Sequence, residues 1–498
     1  MLTNCEDIGQ ISILKIASSR LTAADLGPLK SATDRMLDRG RNTILLDLGG
    51  VRRVARSGLA ALVELQSAMP RTSKLAFYGA RPHVAGEIMR CPLSSLLSYH
   101  ETREAALNTP EVLQQRLAGL KAVILCAGAG TRMRPLSHET PKPMLDIAGK
   151  PVLTRVMDHL GRFGIRDFIL NPGHHAPCIH HAFATTARRS VQYVNEGGYV
   201  GGTWHPAPMG SASTLVRLQT RQTAFEDDFV VLCGDAITDI DMCGLVDAHR
   251  ASGAEVTIAA QHVPREETGK YGVLVTNATG KVLEFCEKPS PRDARSTLVS
   301  TGIYVFSPRA LKGLPDRAGF DIGNDLLPRI LARGGSIQTY DAPFVWADLG
   351  NAKDYFDTLE RVMKGEIPGT TPAGALDRNG VWVSPSAKIS RRAVVIGPCY
   401  VGPGAEICAG AHIEGPTVVG AGAKISGRTV LKNAIVQPDT LVSSGTWVSD
   451  MIVGQDWALN IDQNTALPQT IQPLEGVFST AKIALPDEDM RLTQGLMG

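Results

Sequence analysis

Apolar and polar positions follow two rhythms along this chain, and the change of rhythm divides it. Up to about residue 365, short apolar runs alternate with stretches of helical spacing. Residues 11 to 16, 43 to 48 and 74 to 78 read as strands. Residues 23 to 39, 58 to 69 and the region of His83 to Met89 read as helices, the second stopped by Pro70. Such alternation predicts an α/β layer with a mostly parallel sheet over residues 1–108. Residues 101 to 118 read as a charged helical connector. A second α/β segment, 119–366, opens with the apolar run Lys121 to Ala127, and residues 370 to 380 read as a linker.

Beyond that linker the period becomes six. Val383, Ile389, Val395, Val401, Ile407, Ile413, Val419, Ile425 and Leu431 are evenly spaced. Four residues after each of the first eight stands a small or short side chain: Ala387, Ala393, Cys399, Ala405, Ala411, Thr417, Ala423 and Thr429. A helix cannot hold a six-residue period, and a flat strand has period two. A triangular coil with one short strand per six residues can, and the pattern predicts a left-handed parallel β-helix over 380–456.

At 498 residues the chain exceeds one core and predicts several domains. A net charge of +2 gives no field that argues for nucleic acid or an anionic membrane. No apolar run reaches membrane-spanning length, and the start of the chain lacks a secretory pattern. Nine cysteines without a CxxC pair predict reduced thiols and a cytoplasmic protein.

The candidate chemistry follows the strand at 121. Ala127, Gly128, Gly130 and Thr131 form a glycine-bearing turn whose backbone N–H groups can approach a phosphate. It is neither a Walker loop nor a dinucleotide fingerprint. Arg132 offers a forked donor, and Lys142 is held between Pro141 and Pro143.

The run Ala127-Gly-Ala-Gly-Thr-Arg132, then Pro135-Leu136, Pro141-Lys-Pro-Met144 and Ile147-Ala-Gly-Lys-Pro151 resembles the signature of the sugar-1-phosphate nucleotidyltransferase family. The resemblance continues for about 240 residues through Gly210-Ser211-Ala212, Val230-Val-Leu-Cys-Gly-Asp235, Tyr271-Gly272, Glu287-Lys288-Pro289, Thr301-Gly302 and Trp346-Ala-Asp348. It implies a Rossmann-like doubly wound catalytic domain that makes an NDP-sugar and pyrophosphate from a nucleoside triphosphate and a sugar-1-phosphate. The family implies Arg132 and Lys142 as catalytic cations, and Ala127, Gly128, Gly130, Thr131, Gly210 and Ser211 against the nucleotide. It places Gly272, Glu287, Lys288 and Thr301 around the sugar phosphate, with Asp235 and Asp348 as ligands of Mg²⁺. GTP with mannose-1-phosphate is the first substrate pair implied, ahead of glucose-1-phosphate with UTP, dTTP or ATP. A homo-oligomer is implied as well.

The chain departs from the family at Ser211, Ser213 and Ser300, and in a longer stretch between Glu196 and Gly210. His174, His175, Cys178, His180 and His181 invite a metal reading that Pro172 and Pro177 oppose, and His412 reads as a rim residue of the β-helix. In the front segment, Leu45-Leu-Asp-Leu48, Val54-Ala-Arg-Ser57-Gly58-Leu59 and Phe77-Tyr-Gly79 resemble the STAS family. That resemblance makes Ser57 a candidate phosphoacceptor and implies a regulatory protein partner. Ala55, however, stands where the family carries an aspartate, and a plain helix cap is the alternative for Ser57. The rival to the enzyme is a non-catalytic regulatory subunit, which should have lost one of the four charged residues; all are present.

Overall fold

A computed structural model describes residues 2–92, 94–184 and 189–462. The segment from Trp457 onward, to which the sequence assigns no role, opens with the strand Ala458–Asn460, antiparallel to Trp447–Val453, and from residue 463 it lies outside the described residues. The chain forms two compact units. One holds Met1–Ala127, Val156–Gly234 and Ile240–Phe344; the other holds Gly128–Arg155, Asp235–Asp239 and the chain from Val345.

Two large sheets make up most of the first unit, beside the two-stranded pairs Gly197–Val200 with Thr203–Pro206 and Arg20–Leu21 with Arg53–Val54. The front sheet runs Leu2–Ile8, Ile11–Ile16, Thr43–Asp47, Lys74–Tyr78, Tyr99–His100, parallel after its first antiparallel pair. Helices Leu26–Asp38, Arg56–Ala68 and Pro82–Arg90 bury Leu29, Met36, Leu62, Leu65, Val84 and Ile88 on one face, against Leu14, Ile44, Leu46 and Phe77. The opposite face, with Ile11, Ile13, Leu45 and Ala76, is closed by Ala106, Leu107 and Val112. The stretch expected as a charged connector is therefore also a cover. Its helices Arg103–Leu107 and Pro110–Arg116 turn apolar positions inward, and the buried Arg116 pairs with Asp247 at 2.5 Å.

The second sheet has the order Ser190–Tyr193, Asp167–Leu170, Lys121–Leu125, Phe229–Cys233, Leu298–Phe306, Val256–His262, Ile337–Tyr340. It is mixed, because Leu298–Phe306 runs antiparallel to both neighbours. The first four strands are parallel, and their order reverses beside Lys121–Leu125. In open α/β sheets such a reversal opens a crevice at the strands' carboxyl ends, where ligands bind. The loops that follow Leu125 and Cys233 leave from this point, joined by Gly234 N–H donating to the Leu125 carbonyl at 2.9 Å.

In the second unit the β-helix pairs each strand with one 18 residues on: Val381 with Cys399, Cys399 with Thr417, Lys388 with Glu406, Val394 with His412. The three stacks form three faces. Val401, Ile407, Ile413, Val419, Ile425 and Leu431 are buried inside, beside the buried small residues Ala405, Ala411, Thr417, Ala423 and Thr429. The coil outlasts the six-residue pattern. Val419 pairs with Val436 and Val430 with Trp447, a turn of 17 residues. One residue is lost between Leu431 and Val436, where Asn433 adopts φ 47° and donates to Asp450 on the next turn at 3.0 Å.

Candidate active site

The second unit gathers four of the charged residues that the motifs singled out. Ala236–Thr238 and Trp346–Asp348 form a short antiparallel ribbon in which Ala236 faces Asp348. Asp235 precedes that pair, and its carbonyl accepts from Leu349 N–H at 3.3 Å. Register thus sets two carboxylates side by side from positions 113 residues apart in sequence. Between them lies Lys142, whose Nζ is 2.6 Å from Asp235 Oδ2 and 3.6 Å from Asp348 Oδ1. Its side chain is only 11% exposed, so the charges act in a weakly screened setting.

Local structure fixes that lysine. Pro141, Pro143 and Met144 are buried around a short turn, Lys142–Met144, closed by Met144 N–H on the Pro141 carbonyl at 2.7 Å. Gly130, at φ 60°, backs onto it; a Cβ there would lie 3.4 Å from the Lys142 Cβ. The adjoining turn Thr131–Met133 carries the exposed Arg132. Gly128 is exposed too, and a Cβ there would meet no described atom within 4 Å.

The electrostatics are those of a site short of positive charge. Burial raises the Asp348 pKa, with repulsion from Asp235 and Asp354 adding to it, while Lys142 and Arg132 oppose the rise. Burial by itself would depress the Lys142 pKa, but Asp235 and Asp348 outweigh it and hold the ammonium charged. Paired carboxylates with a buried ammonium as their partner fit a small hard dication, which would complete its shell with phosphate oxygens and water. Among the described residues, no group of three or more His, Cys, Asp or Glu side chains could hold a metal alone. That applies equally to the histidines near residue 178. Sequence motifs missed Asp354, a third carboxylate on the helix Ala352–Met363, whose N-cap is Asn351.

In the first unit the other candidates are disposed differently. Glu287 occupies a niche lined by glycine: a Cβ on Gly323 would lie 2.4 Å from its Oε2, and one on Gly272 would lie 2.9 Å away. Lys288 takes the left-handed φ of 47° and sits 3.3 Å from Glu287 Oε1. A non-glycine residue held there marks backbone strain of the kind concentrated at ligand sites. Thr301 is different; its hydroxyl is buried and donates to the Ala259 carbonyl at 2.8 Å, a structural bond. Gly210, at φ 99°, caps helix Ser211–Gln222 and could not carry a Cβ, which would lie 2.6 Å from the Phe320 carbonyl oxygen. Ser211 donates its hydroxyl to Asp321 at 2.7 Å and accepts from Ile322 N–H at 2.9 Å.

A buried network that no motif announced supports these loops. Glu196, 1% exposed, accepts from Asn171 at 2.8 Å, from Met209 N–H at 2.7 Å and from Thr214. Asn171 in turn accepts from Cys126 N–H at 2.6 Å, next to Ala127. Nothing in the local sequence distinguishes Glu196 from a solvated loop residue. Ser57 lies exposed in the first turn of Arg56–Ala68, whose N-cap is Ala55, so it does not cap a helix beginning at Gly58. Gly58 is instead a packing glycine, since a Cβ would come within 2.4 Å of the Leu21 carbonyl oxygen.

Comparison with known proteins gives the family of the chain. Residues 121–365 match the family model described as nucleotidyl transferase, and residues 12–97 match one described as Mlab, STAS domain. A UTP–glucose-1-phosphate uridylyltransferase of Synechocystis is 38% identical over 285 residues, covering 57% of this chain and 74% of its own. A mannose-1-phosphate guanyltransferase beta-B of Xenopus laevis is 29% identical, covering 55% of this chain and 73% of its own. A mannose-1-phosphate guanylyltransferase catalytic subunit beta of Drosophila melanogaster is 30% identical, covering 54% and 71%. The chain belongs to the nucleotidyl transferase family, with a STAS domain in front. Among the described residues, no helix is long and apolar enough to cross a membrane.

Proposed function

We propose that this protein is a sugar-1-phosphate nucleotidyltransferase, and that the placement of Lys142 between Asp235 and Asp348 carries the reading. A phosphate oxygen of the sugar-1-phosphate attacks the α-phosphorus of the nucleoside triphosphate. The bond to the bridging oxygen breaks, and pyrophosphate leaves with its electron pair. The attacking oxygen is already ionised near neutral pH, so no general base is needed. Both reactants are anions, and the protein's task is neutralisation and alignment. Lys142 neutralises charge at the α-phosphate, and Arg132 holds the departing pyrophosphate oxygens. Asp235 and Asp348 would hold Mg²⁺, which when bound supplies charge to the phosphate oxygens. The backbone of Ala127, Gly128, Gly130, Thr131, Gly210 and Ser211 faces the nucleotide. Lys288 and Glu287, beside Gly272, take the sugar phosphate and its hydroxyls, with Thr301 acting from behind.

UTP with glucose-1-phosphate is the leading pair, on the 38% identity with the uridylyltransferase. GTP with mannose-1-phosphate follows, on the 29% and 30% identities with the guanylyltransferases. The protein works in the cytoplasm as a homo-oligomer; the outward apolar residues Val394, Ile396 and Trp447 on the β-helix support self-association. The STAS domain binds a regulatory partner on the surface that carries the exposed Ser57. A grid of nucleoside triphosphates against sugar-1-phosphates with Mg²⁺, scored by pyrophosphate release, tests the reading. One active pair supports it, and silence with every pair transfers the case to the regulatory-subunit reading.

A further inference from the structure

Four residues after Lys142 the chain enters a tight ribbon that doubles back, Asp146–Ile147 against Lys150–Pro151. The reversal passes through Ala148 at φ 49° and Gly149 at φ 91°. A left-handed alanine persists only where its surroundings enforce it. Two hydrogen bonds tie this ribbon to the lysine turn: Val152 N–H to the Leu145 carbonyl at 3.1 Å, and Leu145 N–H to the Lys142 carbonyl at 3.2 Å.

The groups that enforce the reversal come from helices Val152–Arg162 and Ala352–Met363, from the linker and from the β-helix. Ala373 N–H donates to the Ala148 carbonyl at 2.9 Å. The buried Arg155 donates to the Ile147 carbonyl at 3.1 Å and to the Thr371 carbonyl at 3.2 Å, joining ribbon to linker. Tyr355 donates to the Asp146 carbonyl at 2.7 Å. Tyr400, on the β-helix strand Cys399–Val401, lies against Gly149 so closely that a Cβ there would be 2.4 Å from its Oη. Tyr400 is 2% exposed, and its hydroxyl has no hydrogen-bond partner among the described residues. It therefore acts through packing, with Oη and Cζ as the atoms that lie against Gly149.

We propose that Tyr400 is a positioning residue for Lys142, so that the first turns of the β-helix hold the catalytic lysine in register with Asp235 and Asp348. The inference rests on the nucleotidyltransferase reading and adds to the β-helix a role inside its own protomer. Truncating a buried aromatic ring leaves a cavity, and the ribbon can relax into it. A displacement of about 1 Å at a catalytic group can cost on the order of a hundredfold in rate.

The test uses the full chain with its best substrate pair and compares Tyr400→Ala with Tyr400→Phe. Tyr400→Ala is expected to lower kcat about tenfold while KM for each substrate stays within about twofold. Tyr400→Phe, which keeps the ring but loses the oxygen that lies against Gly149, is expected to lower kcat by no more than about twofold. In a Lys142→Ala background, Tyr400→Ala should add less than about a further twofold, because the group it positions is gone. Amide hydrogen exchange over residues 142–152 reads the same coupling without catalysis, and should quicken more in Tyr400→Ala than in Tyr400→Phe. Should Tyr400→Ala fail to fold, Gly149→Ala strains the same contact from the other side and should give the same kcat loss. An unchanged kcat in Tyr400→Ala, an equal loss in Tyr400→Phe, or effects of Tyr400→Ala and Lys142→Ala that multiply would each overturn the proposal. Faster exchange in a protein that releases no pyrophosphate with any pair would support the coupling and sink only the nucleotidyltransferase reading.

Discussion

The Lys142 ammonium lies 2.6 Å from the Asp235 carboxylate, within charge-assisted hydrogen-bonding range. Substrate phosphates and a dication would enter an existing charge pair, so each partner must be present for the other to be held. Lys142→Ala should lower kcat on the order of 10²–10³-fold, the usual cost of losing one preorganised charged donor. It should also lower the melting temperature, because two partly buried carboxylates lose their cation. Steady-state kinetics and a thermal melt check the two effects separately.

Glu287 is held in a glycine niche, and enlarging the niche wall displaces it. A methyl at Gly323 would fall 2.4 Å from Glu287 Oε2. Gly323→Ala should raise KM for the sugar-1-phosphate about tenfold and leave KM for the triphosphate within about twofold, the signature of lost ground-state binding to one substrate. Equal rises in both constants would place Glu287 elsewhere in the chemistry.

His159 is buried and uses both ring nitrogens as a neutral imidazole. Nε2 donates to the Ile240 carbonyl at 2.9 Å, and Nδ1 accepts from Arg162 at 2.9 Å. Burial, helped by the Arg162 charge, pulls its pKa down to about 3. The unfolded chain takes up the proton near pH 6.5 and the folded chain does not. Stability is therefore full above about pH 6.5 and declines as the pH falls toward 3. His159→Gln, which has no such proton to take up, should flatten the fall of melting temperature between about pH 6.5 and 4. A parallel fall in both proteins would assign the acid sensitivity to other groups.

Inside the β-helix, Ala423 is fully buried beside Ile425. Ala423→Leu should destabilise the protein by about 1–3 kcal/mol through overpacking, since the coil leaves room only for a small residue there. Thermal or urea unfolding followed by tryptophan fluorescence checks it, with Trp382 and Trp447 as probes within the coil.

The six-residue period made most of the β-helix legible, because each turn repeats one packing constraint. The pattern stops at Leu431 although the coil continues. One deleted residue near Asn433 breaks a count in sixes, whereas a backbone in the left-handed region can absorb it. Asp235 and Asp348 were readable through the family motifs that contain them, yet their adjacency comes from ribbon register. Glu196, Arg155 and Tyr400 carried no signal, since the residues they meet, Asn171, Thr371 and Gly149 in turn, stand well away from them in sequence. Ser57 was misplaced because the helix begins two residues earlier than the glycine suggested.

The central claim is tested most directly by pyrophosphate release from Asp235→Asn beside the wild type, with Mg²⁺ and the substrate pair that the wild type uses best. The account predicts loss of at least about a hundredfold in rate, with the melting temperature showing a folded variant. An Asp235→Asn protein that releases pyrophosphate at the wild-type rate would contradict it.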